Sequence, residues 1–447
     1  MFSKIVVENF TTFNNFEFDL VENKTDKKAK KLAIIYGENG IGKTCFIKSI
    51  AFLARTYRAL IEIESARSFF SQMFTKEETN DESFIRFYNS SLDEYRISGF
   101  LSNYRKLNCE DNMKLQYELL INKTKYVYSM VFDKKSIIQE KLICNGLLVF
   151  SCVNKKVEFG EEGFTFDSNI SDMLRNAFNM YFGEKHTFLA CIKSSQKSVS
   201  SSYFKHAVPK QLLSFLSFLD SIYVNHKQDS RLLIREPERI SAEFVYPLVQ
   251  GHYSERMKKK LDKTSLALTM FYSSLYSNIE SLSYKIETTG DGNSQYHLFF
   301  NERTNSGAAS IPFEFESTGT TKLASLFIAF YEVVKNKKIV VYDEIDNGIN
   351  DMLLKTIFDS LDTCIGGQLI VTTHNTLLLK NSIKKNIYLL DRNDDLSVCS
   401  YSLDEFGRKI QSGTDVVGQY LKGLYGGVPQ SGAFSMEYIL EALKDYE

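Results

Sequence analysis

Apolar residues along this chain form either continuous runs or alternating patterns, and both kinds predict strands. Leu32–Tyr36 is a continuous apolar run that ends at a glycine, as expected for a strand buried on both faces. Residues 338–342 and 368–373 form similar runs that end in polar side chains. Helical spacing is found at residues 44–63, 320–335, 350–362 and 376–381. Strands that alternate with helices predict an α/β fold with a largely parallel sheet.

The alternating pattern dominates elsewhere. Between about residues 114 and 167 it predicts an antiparallel meander, with strands at 117–121, 126–132 and 148–153. Residues 170–285 have mostly helical spacing. Further strands are predicted at residues 2–7, 16–20, 283–300 and 311–315.

Four segments follow from this pattern. Residues 1–63 and 311–411 hold the alternating strands and helices, and together they predict one head. Residues 64–310 form an insertion between them, with the meander at about 114–167 and helices at about 170–285. Residues 412–447 form a C-terminal tail.

Composition narrows the class of protein. The chain has 447 residues, of which 43% are hydrophobic, enough for a sizeable core. Its 54 Lys and Arg nearly balance its 55 Asp and Glu, so net charge favours neither nucleic acid nor membrane as a partner. Seven Cys without a C-x-x-C pair indicate reduced thiols. With no signal peptide and no long apolar run, we expect a cytoplasmic protein without a membrane partner.

A phosphate-binding motif follows the first buried run. Residues 37–44 read Gly-Glu-Asn-Gly-Ile-Gly-Lys-Thr and match G-x-x-x-x-G-K-[ST], between a predicted strand and a predicted helix. Lys43 is expected to bind the β- and γ-phosphates of ATP, and the Thr44 hydroxyl to bind Mg²⁺. A chance glycine turn beside a lysine is the alternative. The expected nucleotide-binding residues of the motif are Gly37, Asn39, Gly40, Gly42, Lys43 and Thr44.

An acidic pair ends the apolar run at 338–342. Asp343 is expected to hold Mg²⁺ and Glu344 to polarise the attacking water, the two tasks that nucleotide hydrolysis requires. The acids would emerge at the carboxyl end of a buried strand, where open α/β sheets bind ligands. An Asp-Glu pair after a strand is common in proteins. The support for a catalytic role therefore comes from the motifs on either side of it.

Those flanks contain a second helix start and a histidine. Ser317 and Gly319 precede the helix at 320–335, and a helix end of this kind binds anions. This second helix end cannot easily bind the nucleotide held by residues 37–44 of its own chain. We therefore expect it to complete the nucleotide site of a second copy in a symmetric dimer. In that case Gly319→Asp would spare the folding of a single chain. An ordinary helix cap would give the same pattern.

His374 lies at the end of the apolar run 368–373. At that position it is expected to contact the γ-phosphate and act in hydrolysis beside Glu344 and Lys43. A purely structural histidine is the alternative.

The order of these motifs resembles that of the ABC/SMC/RecF superfamily of ATPases, over about 60 N-terminal and 130 C-terminal residues. The resemblance implies an ABC-type ATPase head, a mostly parallel sheet with helices plus an antiparallel β lobe, that carries a largely helical insertion. It also implies ATP and Mg²⁺ as cofactors, and a homodimer of heads or a higher homo-oligomer. Asp346 and Asn347 would lie at the dimer contact, and Gln196 would sense the metal.

Residues 343–349, 373–378 and 420–429 resemble more closely the stand-alone ATPases of bacterial defence and abortive-infection systems, such as RloA, AbiL and the AriA subunit of PARIS. That resemblance implies a separately encoded nuclease or toxin as effector, with a phage protein or DNA as trigger. A DNA repair or maintenance ATPase like RecF is the alternative. A transporter subunit is disfavoured, because 275 residues separate Gly42 from Ser317.

Overall fold

The computed structural model describes residues 1–22, 28–73, 92–153, 155–160, 164–226, 241–288, 293–305, 307–379, 385–405, 415–428 and 435–443. They form three β-sheets with helices packed around them, which confirms the predicted α/β fold.

A six-stranded sheet holds the strands that precede the three predicted site loops. Its order is β17-β16-β3-β15-β14-β9, parallel except for β17 at one edge. Side chains of all five residues of β3 are buried, because its two faces belong to two separate apolar clusters. The strands are β3 (Leu32–Tyr36), β9 (Ile222–Asn225), β14 (Ile339–Tyr342), β15 (Gln368–Thr372), β16 (Ile387–Arg392) and β17 (Val398–Ser402).

A seven-stranded antiparallel sheet forms a second layer, in the order β2-β1-β4-β5-β6-β7-β8. The predicted meander is therefore continuous with the N-terminal hairpin, since β4 pairs directly with β1. Its strands are β1 (Phe2–Phe10), β2 (Phe13–Asp19), β4 (Met113–Ile121), β5 (Thr124–Phe132), β6 (Ile137–Cys144), β7 (Leu147–Val153) and β8 (Lys156–Phe159).

The third sheet is built around β12, which pairs with β10, β11 and β13. The bounds are β10 (Gln250–His252), β11 (Ile279–Thr288), β12 (Ser294–Thr304) and β13 (Gly307–Pro312).

Eleven α-helices complete the described part of the chain. They are α1 (Lys43–Met73), α2 (Ile97–Tyr104), α3 (Ser168–Tyr181), α4 (Phe188–Lys197), α5 (Ser201–Ala207), α6 (Lys210–Asp220), α7 (Lys258–Leu275), α8 (Thr318–Lys335), α9 (Asp351–Leu361), α10 (Val416–Leu421) and α11 (Met436–Leu443).

Several predicted elements differ from the structure. The helix predicted at 44–63 extends to Met73, and residues 376–379 form a 3₁₀ turn instead of an α-helix. Residues 313–315, predicted as part of a strand, are also a 3₁₀ turn. The helical region 170–285 is interrupted by β9 and β10. Because β9 pairs with β14, part of the 64–310 segment belongs to the sheet that carries the site loops. The division into four segments stays a prediction.

Gln368, at the start of β15, connects the C-terminal half of the chain to Phe2 and Lys30 in the N-terminal part. Its buried side chain accepts a hydrogen bond from the Phe2 N–H at 2.7 Å. Its amide nitrogen donates to the carbonyls of Phe2 and Lys30, at 2.9 and 2.8 Å. These contacts hold the first strand of the antiparallel sheet against the parallel sheet.

Among the described residues, no helix is both long and apolar enough to span a membrane. All seven cysteines are free thiols.

Glu140 is a fully buried acid that joins β6 to α4. One oxygen accepts hydrogen bonds from the Leu189 N–H and the Tyr128 hydroxyl, and the other from the Phe188 N–H at 2.6 Å. Burial raises the pKa of Glu140 to about 7, and these three hydrogen bonds oppose the rise. The carboxyl group thus caps the N-terminus of α4 from within the core.

The Glu140 pKa predicts that the protein becomes less stable as pH rises. A folded-state pKa above the usual 4.5 stabilises the fold fully below pH 4.5, and that contribution is lost as pH rises through about 7. Between pH 5 and 8 we expect a loss on the order of 3 kcal/mol in the free energy of unfolding. Urea unfolding at both pH values measures it. Glu140→Gln should weaken this pH dependence. A variant whose free energy of unfolding falls as much with pH as that of the unmodified protein would show that Glu140 is not its cause.

Candidate functional site

The phosphate-binding motif forms the connection between β3 and α1. Gly40 has a φ of +78° and an open surround, so the loop tip stands clear of other atoms. Gly42 has a φ of +118°, and a Cβ there would lie 2.7 Å from the Phe13 ring. Glycine is therefore required at position 42 by both backbone and packing. Asn39 is exposed beside Gly40, and Gly37 is buried at the end of β3.

Lys43 opens α1 and turns its side chain back over the loop. Its ammonium donates to the carbonyls of Gly37 and Glu38, at 2.7 and 2.9 Å. Burial lowers the pKa of Lys43, and the carboxylates of Asp343 and Glu344 oppose that decrease. The buried cation thus lies within the electrostatic field of the acidic pair.

Asp343 connects the three central strands of the parallel sheet. One carboxylate oxygen accepts the Thr44 hydroxyl at 2.8 Å, and the other accepts the Thr372 hydroxyl at 2.6 Å. Thr372 ends β15, which pairs with β14, and Thr44 lies at the start of α1 after β3, the next strand of the sheet. Two hydroxyls from the same side of β14 therefore hold Asp343. Two residues 299 positions apart in the sequence are in direct contact here.

Glu344 has an unusual backbone conformation for a residue with a side chain. Its φ is +48°, in the left-handed region that non-glycine residues seldom adopt. The Glu344 N–H donates to the Thr372 hydroxyl at 2.7 Å. Its carboxylate accepts from the Asn347 amide at 3.4 Å. Thr372 therefore holds both members of the acidic pair, and the strain marks the loop as a candidate functional segment.

Lys322, on α8, supports the same loop from the other side. Its ammonium donates to three backbone carbonyls, those of Glu344, Ile345 and Asn347, at 3.0 to 3.1 Å. One side chain thereby satisfies three acceptors in the loop after the acidic strand.

His374 lies near the acidic loop, with an exposed imidazole. Its backbone N–H donates to an Asp346 carboxylate oxygen at 3.0 Å. The other Asp346 oxygen is buried and has no hydrogen-bond partner within the described residues. Partial loss of water around the imidazole lowers the pKa of His374, and the positive charge of Lys43 lowers it further. The negative charge of Asp346 opposes this decrease. The neutral imidazole is favoured in this arrangement.

The second helix start packs on the acidic loop of the same chain. Ser317 is exposed and caps α8, since its hydroxyl accepts from the Thr320 N–H at 3.1 Å. Gly319 lies against Gly348, where a Cβ would come within 2.0 Å of the Gly348 carbonyl oxygen. The expectation that Gly319→Asp spares folding is therefore wrong, because any side chain must displace the backbone of the loop.

The structure brings Lys43, Thr44, Asp343, Glu344 and His374 into one region. No hydrogen bond within the described residues joins Ser317 or Gly319 to the phosphate loop, and their function stays a prediction. Gln196 lies on α4, where its side chain accepts from Lys193 at 3.5 Å.

Sequence reasoning missed two residues, Thr372 and Lys322. Thr372 could have been recognised, because a hydroxyl residue at the end of an otherwise apolar strand is placed to form hydrogen bonds with neighbouring loops. Nothing local in the sequence distinguishes Lys322 from any other helical lysine.

The donor set fits a magnesium nucleotide. Thr44 and Asp343 supply one hydroxyl and one carboxylate, and Mg²⁺ in phosphate-transfer sites is usually held by few protein oxygens plus phosphate and water. Across the described ranges, no cluster of three or more His, Cys, Asp and Glu side chains could hold a metal by itself. Phosphate oxygens and water would complete the ligands of a metal held by Thr44 and Asp343.

Comparison with known families gives one match. Residues 195–380 match a protein-family model described as AAA domain, putative AbiEii toxin, Type IV TA system. The matched range contains α8, the acidic pair and His374, and the phosphate loop lies outside it. The phosphate loop, its contact with Asp343 and this match together indicate a P-loop ATPase domain.

Solved structures similar to this chain include three SMC heads. One is an SMC head bound to the C-winged helix domain of ScpA, at 14% identity and a TM-score of 0.45, covering 90% of this chain and 98% of that one. The Thermotoga maritima SMC head has 11% identity, a TM-score of 0.37 and the same coverages. A Pyrococcus furiosus SMC head bound to the C-terminal domain of ScpA has 14% identity, a TM-score of 0.41 and coverages of 90% and 97%.

TM-scores below 0.5 are too low for these similarities to support a conclusion about function. The search of curated proteins gives no match.

Thr372→Val tests the network around the acidic pair of the ATPase domain. Valine keeps the shape but leaves an Asp343 oxygen and the Glu344 N–H without their partner. We expect a loss of about 2 kcal/mol in the free energy of unfolding, typical of a lost hydrogen bond to a charged group. Thr372→Ser keeps the hydroxyl and should retain most of the stability in urea unfolding. Equal losses for both variants would show that the methyl group matters instead.

Proposed function

We propose that this chain is an ATP-hydrolysing clamp of a bacterial anti-phage defence system, which binds and controls a separately encoded toxin or nuclease. The observation that carries the ATPase part is the contact of Asp343 with both Thr44 and Thr372. The defence part is supported by the family description, which names a putative AbiEii toxin and a type IV toxin–antitoxin system.

Nucleotide binding is assigned to the phosphate loop and the start of α1. Backbone N–H groups at the N-terminus of a helix attract phosphate, and the Lys43 ammonium adds a full charge beside them. Thr44 and Asp343 would hold Mg²⁺, which supplies charge neutralisation for the phosphates when bound. On nucleotide binding, Lys43 would exchange the carbonyls of Gly37 and Glu38 for phosphate oxygens.

Hydrolysis is assigned to Glu344 as general base. Both oxygens of Asp343 already accept hydroxyl hydrogen bonds, so the neighbouring carboxylate takes the proton from the attacking water. Thr372 and Lys322 hold the Glu344 backbone in its left-handed conformation, which fixes where that carboxylate projects. His374, as a neutral imidazole, would donate a hydrogen bond to the terminal phosphate.

The clamp requires a second copy of the chain. Ser317 is exposed at the N-terminus of α8, a position suited to phosphate binding. A two-fold dimer would place each α8 start on the partner's nucleotide and give two equivalent sites. Because Lys322 and Gly319 tie α8 to the acidic loop, dimer contact and catalytic geometry would be linked.

Glu344→Gln is expected to trap the ATP-bound dimer. The amide cannot accept the water's proton, so turnover should fall by about 100-fold or more while ATP binding persists. Malachite-green phosphate release and light scattering with ATP measure the two effects. Glu158→Gln, at the exposed edge strand β8, is the matched control and should behave as the unmodified protein.

Lys43→Ala serves as the reference variant that does not bind ATP, because it removes the ammonium assigned to the phosphates. It should show neither turnover nor ATP-induced dimer. Normal turnover by Glu344→Gln would disprove the general-base assignment, and normal ATP affinity of Lys43→Ala would disprove the nucleotide site.

A DNA-binding ATPase of the RecF/SMC kind is the second candidate. Arg256, Lys258 and Lys259 form an exposed basic strip at the start of α7, which favours contact with a phosphate backbone. DNA-stimulated hydrolysis that falls steeply with salt would support this candidate.

The composition of the native complex separates the two functions. Purification from cells that carry the gene with its natural neighbours should yield a stoichiometric toxin or nuclease bound to a multimer of this chain. Native mass spectrometry gives the masses. Recovery of the chain alone, or with DNA, would contradict the defence function and favour the second candidate.

A further inference from the structure

Residues 415–428 fold back onto the phosphate loop. The segment begins with α10, which Asp415 caps by accepting the Gly418 N–H at 3.0 Å. Three glycines then turn the chain, Gly423, Gly426 and Gly427, with φ values of +73°, +68° and +69°. These left-handed residues give the segment a tight path that side chains would disfavour.

Gly427 is packed against the first glycine of the phosphate-binding motif. A Cβ on Gly427 would lie 3.5 Å from the Gly37 Cα and 3.3 Å from the Leu390 carbonyl oxygen. A Cβ on Gly37 would lie 3.1 Å from the same oxygen. The Leu390 carbonyl of β16 thus adjoins both glycines, and a methyl group at position 427 would contact Gly37 and press against this carbonyl.

Tyr420 connects this contact to the loop that carries the histidine. Its hydroxyl donates to the Gly427 carbonyl at 3.1 Å, and its ring packs edge-on against Tyr36, with centroids 5.8 Å apart. The Tyr36 hydroxyl in turn donates to the Asn375 carbonyl at 2.7 Å, one residue after His374.

Burial shows that the segment is an integral part of the head. Val416, Tyr420 and Tyr425 are buried in the same apolar cluster as the central strands. α10 also contacts the 3₁₀ turn Thr376–Leu379 that follows the histidine. One short segment therefore supports both loops that would border the nucleotide phosphates.

We propose that residues 415–428 position the phosphate loop for nucleotide, with Gly427 and Tyr420 as positioning residues, so that nucleotide binding and the packing of this segment are coupled. The inference rests on the proposed nucleotide site. Coupling between two sites is reciprocal, so a partner that displaces the segment lowers nucleotide affinity by the same factor by which nucleotide opposes displacement.

A pair of glycine variants isolates the contact. Gly427→Ala and Gly423→Ala place a methyl group at nearly the same φ, but only the first adjoins Gly37, and nothing lies within 4 Å of a Cβ at Gly423. Using a fluorescent ATP analogue with Mg²⁺, we expect Gly427→Ala to raise the Kd about tenfold, within the usual range of coupling factors. Gly423→Ala should leave the Kd nearly unchanged, although both variants should lose similar thermal stability.

Hydrogen exchange gives the reverse readout on the unmodified chain. A non-hydrolysable ATP analogue with Mg²⁺ should slow exchange at the amides of residues 415–428, and Lys43→Ala should abolish that response. Tyr420→Phe, which loses only the hydroxyl, should weaken the response, whereas Tyr420→Ala should eliminate it.

The outcomes separate this inference from the proposed function. If the unmodified chain binds the analogue, yet residues 415–428 exchange unchanged and the two glycine variants bind it equally, the coupling is refuted and the nucleotide site stands. If the unmodified chain binds no nucleotide, both fall.

Discussion

The buried Asp343 carboxylate is the interaction on which the site depends. A carboxylate removed from water is costly unless its oxygens find donors, and here the Thr44 and Thr372 hydroxyls supply them. Thr372 ends β15, which pairs with the Asp343 strand, and Thr44 lies in the first turn of α1 after β3, on the other side of β15. The need to satisfy one charge therefore fixes the relative positions of three strand ends, and with them the loops that follow each strand.

Local strain beside that carboxylate is held by tertiary contacts. Glu344 adopts a left-handed conformation, and the Thr372 hydroxyl and the Lys322 ammonium hold its backbone from two sides. Such a conformation persists only where the surroundings over-determine it, which is a common property of pre-organised sites. α8 thus takes part in shaping the acidic loop, and its close packing through Gly319 makes the two elements a single rigid unit.

Much of this could be read from the sequence because it is encoded locally. The buried runs, the phosphate loop and the acidic pair each combine a strand period with polar residues at its end, and the α/β fold is confirmed. β9 was missed because four residues between helical stretches give no periodicity, and its place beside β14 is set by long-range pairing. The catalytic roles of Glu344 and His374 and the trans role of Ser317 stay predictions, because they depend on a bound nucleotide and on a second copy of the chain.

The 299-residue separation between Thr44 and Asp343 has a consequence for how the protein is made. At ribosomal rates of about 5 to 20 residues per second, the phosphate loop is synthesised roughly 15 to 60 seconds before its acidic partner. Throughout that interval the nascent chain has a helix start and a lysine, but no carboxylate to complete them. Early termination anywhere in between yields fragments that lack the contact between Thr44 and Asp343.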